Sequence, residues 1–125
     1  MKLLTIVDRV NRHLGDEMFT LFDMYDAMCL AVDYINGGMD TNFPDPQMDQ
    51  ESYDAFEDRW IRRVMIPYIV GEMLDNDEEV STVWKFKAQD GLFAMLRDCQ
   101  VKEEYLVQDS GYFDVEYPEG GFPRW

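Results

Sequence analysis

Residues 20–38 read TLFDMYDAMCLAVDYINGG. Within them Leu21, Met24, Met28, Val32 and Ile35 recur at intervals of three and four, the period that lines up side chains on one face of an α-helix. Tyr25 and Cys29 widen the stripe. Thr20-Leu21-Phe22-Asp23 opens the segment as a capping box, with the shorter Asp in the place of Glu. Asn36-Gly37-Gly38 predicts the helix end, because these residues tolerate the positive φ that helix C-termini use. An amphipathic helix of this kind has to cover its apolar face against other elements.

The flanking sequence offers more helices. Leu3, Val7, Val10 and Leu14 repeat at helical spacing and Gly15 follows as a stop. Met39 to Met48 reads as a loop, since Phe43-Pro44 and Asp45-Pro46 hold their first residues extended; Phe43 is expected to pin this loop to the core. A third helix is expected to start near Asp49 to Ser52, with Tyr53, Phe56, Trp60, Ile61 and Val64 on its apolar face. Pro67 removes one hydrogen bond and crowds the carbonyl of Arg63, so a kink or a new helix is expected there. The pattern resumes at Tyr68, Ile69, Met73 and Leu74 and ends at the run Asp75-Asn76-Asp77-Glu78-Glu79. Ser81 is the expected N-cap of a fourth helix, about 82–107. That helix carries two apolar stripes, Trp84, Ala88, Leu92, Met95 and Cys99 on one side and Phe86, Phe93 and Leu96 on another. A surface helix needs one such face; a second implies a central position or a covering subunit. The expected fold class is all-α: a small bundle of four to five helices over residues 1–108, followed by an extended aromatic C-terminal tail, 109–125.

The tail, DSGYFDVEYPEGGFPRW, sets Tyr112, Phe113, Tyr117, Phe122 and Trp125 among glycines and prolines that forbid a helix. Rings of that size bury large areas when they find a surface, and disordered tails are normally poor in them. Phe113, Val115 and Tyr117 alternate with polar neighbours as a strand would, which fits strand addition to a neighbour's sheet edge. Phe122 and Trp125, beyond Gly120-Gly121, form a separate anchor. Docking on the tail's own bundle and docking on another subunit both remain open at this stage.

The 125 residues correspond to one domain. Twenty-six acidic against 11 basic residues leave a net charge of −15, which disfavours nucleic acid and anionic membranes as partners and favours solubility or a basic partner. No stretch approaches the ~20 apolar residues needed to span a bilayer, and MKLLTIVDRVN is too short and too polar for a secretion signal. Cys29 and Cys99, each on an apolar stripe, are read as buried thiols of a reducing compartment.

No catalytic signature appears. Phosphate-cradling glycine motifs are absent, and neither cysteine has the spacing of a zinc site. His13 stands alone on a short helix and reads as a surface or packing residue. Asp75, Asp77 and Glu79 alternate like the start of a calcium loop, but Val80 stands where glycine is required and Phe86 where Glu is. Asp23, Asp26 and Asp33 share a helix without the Glu-x-x-His partners of di-metal sites. Neither a metal nor a cofactor is therefore expected. Arg59, Arg62 and Arg63 form the one dense basic cluster; they either pair locally with Glu57 and Asp58 or receive a neighbour's carboxylates. Nine methionines are many for this length; most read as core filling, with Met18, Met39 and Met48 at helix ends and loops as candidate contacts.

The order of features resembles a family. A short first helix leads to Ala31-Val32-Asp33-Tyr34-Ile35-Asn36, then the Phe43-Pro44 loop, Tyr53, Phe56, the run Trp60-Ile61-Arg62-Arg63-Val64-Met65-Ile66-Pro67-Tyr68-Ile69 and an acidic turn near Asp75 to Glu79. Over residues 20–100 this looks like the head–tail connector, or adaptor, proteins of tailed phages. The resemblance implies a non-enzymatic structural virion protein of the neck, assembled in the host cytoplasm. It would form a homo-oligomeric ring, usually a dodecamer, below the portal protein and next to a tail or second neck protein. DNA would pass through the lumen without specific binding, and an acidic lining would repel it. The expected subunit contacts are Arg59, Arg62, Arg63, Phe86, Phe93, Tyr112, Phe113, Tyr117, Phe122 and Trp125. The alternative is a small acidic DNA mimic that inhibits a host nuclease or DNA-binding protein, a reading weakened by the Lys and Arg interleaved with the acids on helices three and four. An enzyme using buried carboxylates is the remaining class.

Overall fold

The computed structural model describes residues 1–15 and 18–109, with backbone alone from residue 101 onward. The described residues are helical: α1 (Leu3–His13), α2 (Leu21–Met39), α3 (Asp58–Trp60), a π-helical turn (Ile61–Met65), α4 (Ile66–Met73) and α5 (Glu78–Asp109). An all-α bundle is what the apolar periodicity predicts. The chain divides into two compact units, Met1–Phe93 and Ala94–Trp125. The first holds α1 to α4 and the opening turns of α5. In the second, the described part is the remaining run of α5.

Leu3, Ile6, Val7 and Val10 of α1 meet Met24, Met28 and Val32 of α2 and Ile61, Met65, Ile69 and Val70 in one buried cluster. The Thr20 capping box forms as expected: the Asp23 N–H donates to Thr20 Oγ1, and the Thr20 N–H donates to Asp23 Oδ2 at 2.9 Å. The expected C-terminus of α2 needs correction. Gly37 and Gly38 lie inside the helix, which runs to Met39, and the left-handed residue is Asp40 at φ 54°. Gly38 is small for packing, not for φ: a Cβ there would collide with the side chain of Leu92. Gly15, at φ +78°, does supply the left-handed stop after α1.

The third helix also starts later than expected, at Asp58 instead of Asp49 to Ser52. The intervening backbone is held extended by the chain start. The Leu3 N–H donates to Glu51 O and the Tyr53 N–H to Met1 O, both at 2.9 Å, around an antiparallel bridge between Lys2 and Ser52. The Met1 ammonium donates to Tyr53 O at 3.0 Å, Asp54 Oδ1 at 2.8 Å and Asp58 Oδ1 at 3.0 Å. Amides and carbonyls used this way are unavailable for helical bonds. Tyr53 and Phe56 are nevertheless core-directed, and Phe43 anchors its loop as predicted, its ring 5.2 Å from that of Phe56 in an edge-on pair.

Two asparagines tie down the loops. Asn11 on α1 accepts from the Phe19 N–H at 3.0 Å and donates to Phe19 O at 2.9 Å. Asn36 on α2 does the same to Phe43, at 2.8 and 3.0 Å, and also accepts from the Thr41 hydroxyl at 3.0 Å. Each side-chain amide thus satisfies both polar groups of a loop phenylalanine that would otherwise go unpaired.

Around Pro67 the helix neither stops nor restarts. Pro67 lacks the N–H that Arg63 O would accept in α register and Arg62 O in π register. The preceding turn widens instead, with the Ile66 N–H reaching Ile61 O five residues back, a local π-bulge. After a short turn α5 begins at Glu78, earlier than Ser81. Ser81 is no cap: its buried hydroxyl donates to Gly71 O at 2.7 Å across the α4–α5 contact. A Cβ on Gly71 would lie 3.2 Å from Ser81 O, and one on Gly91 would lie 2.8 Å from the Arg63 carbonyl carbon. Residue numbers rise along α5 as they fall along its partner, so the π-turn, α4 and the first turns of α5 make an antiparallel hairpin. Both thiols are free. Cys29 is half-buried and Cys99 exposed, so the expectation of two buried cysteines does not hold for Cys99.

Candidate interaction surface

The first half of α5 presents apolar residues on opposite sides. Ala88 and Leu92 are buried, whereas Val83, Phe86 and Phe93 are 51%, 60% and 54% exposed. Phe86 and Phe93, seven residues apart, fall within about 20° of each other around the helix axis. Phe86 and Phe93, two of the three residues of the second stripe predicted from sequence, therefore stay outside the hydrophobic core, while Leu96, in the second unit, is half-buried. Covering one such ring is worth roughly 1.5–3 kcal/mol.

Beside Phe86 lies an open groove of about 360 Å³ lined by Tyr34, Tyr68, Thr82, Lys85, Phe86 and Gln89. Tyr34 and Tyr68 stack at 4.8 Å, with their planes 24° apart. Lys85 Nζ sits 5.3 Å from the Tyr68 ring centre and pairs with Glu72. Its hydrogen bond to Glu72 raises the Lys85 pKa, and desolvation raises those of Tyr34 and Tyr68. All three groups are thus held in their ordinary protonation states near neutrality. That combination offers ring contacts and a few polar ones.

The arginine cluster divides. Arg59 pairs with Glu57 at 3.2 Å and lies 4.4 Å over the ring of buried Trp60, the local pairing anticipated from sequence. Arg63 approaches the same ring at 5.7 Å. Arg62 and Arg63 are exposed, and neither makes an ion pair among the described residues. At the other end of the hairpin, Asp75 to Glu79 are exposed around an open depression lined by Asn76, Asp77, Glu78, Glu79, Thr82 and Val83.

Tyr112, Phe113, Tyr117, Phe122 and Trp125, with the candidate strand around Val115, lie outside the described residues. His13 is exposed and its ring stands 4.8 Å from that of Trp84. Asp23, Asp26 and Asp33 are all exposed, and among the described residues no group of three or more His, Cys, Asp or Glu is placed to hold a metal ion. The sequence did not mark Tyr34, Tyr68 and Lys85 as contact residues. The two tyrosines sit on different helices, and no periodicity links them.

No family model, no curated protein and no solved structure matches this chain. Among the described residues no helix is long and apolar enough to cross a membrane.

Proposed function

We propose that the chain is a structural assembly protein, a head–tail connector of a tailed phage, that forms a ring below the portal. The supporting observation is the exposed Val83, Phe86 and Phe93 stripe on the side of α5 opposite Ala88 and Leu92. Exposed rings on one side of a helix fit a protein–protein contact. The order of aromatic and proline positions over residues 20–100 supplies the family, and the net charge of −15 suits a wall past which DNA slides. In this reading the ring joins portal to tail, and its work is association, not catalysis.

The test is the double substitution Phe86→Ser/Phe93→Ser in the full chain. Both rings are exposed, so the unfolding free energy of the monomer should stay within about 0.5 kcal/mol of wild type while the oligomer disappears from size-exclusion light scattering. An oligomer unchanged by the pair would contradict the proposal.

A further inference from the structure

Sequence and fold together put opposite charges at opposite ends of one helical hairpin. Gly91 packs on the carbonyl of Arg63, and Gly71 packs on Ser81 and Lys85. The turn Asp75 to Glu79 therefore caps one end, and Arg62 and Arg63 stand at the other. Twelve residues separate Arg63 from Asp75, a helical rise of roughly 15–20 Å. Ion pairs need an N–O separation below about 4 Å, so the two ends cannot neutralise each other within one copy.

We infer that this end-to-end charge asymmetry is a contact between copies: the acidic turn of one chain receives Arg62 and Arg63 of the next. The fit has three parts. Asp75, Asp77, Glu78 and Glu79 supply acceptors around an open depression. Arg62 and Arg63 supply planar, multi-donor cations that match carboxylates and have no ion pair of their own among the described residues. Phe86 lies between the two ends on the same hairpin, and Phe93 lies at the level of the arginine end. The charges set register and direction, and the rings supply the buried area, because exposed ion pairs alone contribute little. Under the ring reading, on which this step rests, the contact runs one way, from the acidic turn of one copy to the arginines of the next, and is heterologous. Repeated, it closes a ring or extends a filament.

The experiment is a charge swap in the full chain. One variant carries Arg62→Glu and Arg63→Glu; the other carries Asp77→Lys, Glu78→Lys and Glu79→Lys. Each should remain monomeric by light scattering at low ionic strength, where wild type associates. An equimolar mixture should recover the wild-type mass, because each variant's altered end matches the other's altered end. Circular dichroism of each variant alone checks that the helices are retained. Raising the salt concentration should narrow the difference between wild type and the two variants, because screening weakens both the matched and the mismatched charge contacts. The inference is overturned if either variant alone associates as wild type does, if the mixture stays monomeric, or if wild type itself is monomeric at low ionic strength. A ring indifferent to the swaps would remove this contact and leave the connector reading standing. A swap-sensitive dimer that grows no further would do the reverse.

Discussion

Asn36 does more for this fold than its place at a helix end indicates. Its amide satisfies the Phe43 N–H, the Phe43 carbonyl and the Thr41 hydroxyl, and so closes the loop that brings Phe43 onto Phe56. Asn36→Ala leaves those groups without their partner. The expected cost is about 1–3 kcal/mol, read as a lower urea midpoint at unchanged slope. Tyr53 is the second telling residue. It is 3% exposed, its hydroxyl donates to Pro44 O, and burial pushes its pKa well above the ordinary tyrosine value. The folded state therefore holds the phenolic proton above pH ~10, where the unfolded chain releases it. Tyr53's contribution should be flat below that pH and fall as pH rises through the alkaline range. Lys85, raised by Glu72, adds a loss in the same direction. Urea midpoints between neutral and alkaline pH check this, and Tyr53→Phe should flatten the decline while costing the Pro44 hydrogen bond. The tyrosine's burial was expected from its spacing with Phe56 and Trp60, although the helix that spacing implied starts only at Asp58. The asparagine clamps were not, because each joins residues seven or eight apart across a loop whose course only the fold sets.

At the scale of elements, helical periodicity carried α1, α2 and the α4–α5 region, and boundaries were where it failed. Gly37-Gly38 was read as a stop because glycine tolerates positive φ, yet Gly38 is needed where Leu92 comes close. Tyr53 and Phe56 have helical spacing, but their segment is bound to residues 1–3, some fifty positions away, and local pattern holds no record of that. Pro67 announced a disturbance without revealing its form, a π-turn ahead of the proline. The most demanding contact between elements is Gly91 against the backbone of that turn. A methyl group there meets a carbonyl, which cannot swing aside as a flexible side chain would. Gly91→Ala should cost about 1–3 kcal/mol in chemical unfolding. A neutral result would mean that the hairpin is packed less closely than described.

For the whole molecule, two features of the α4–α5 hairpin face outward: the rings of Phe86 and Phe93, and the separated charges at its ends. The double stripe on the last helix was visible in the sequence, since Phe86 and Phe93 fall away from Ala88 and Leu92 at helical pitch. The groove beside it was not, because Tyr34 and Tyr68 stack from separate helices. The proposed assembly would use both features. The measurement that tests this most directly is native mass spectrometry of the full-length chain at low ionic strength. The account predicts one closed oligomer of fixed copy number, lost on Phe86→Ser/Phe93→Ser. A species at the 14.8 kDa monomer mass at every concentration would contradict it.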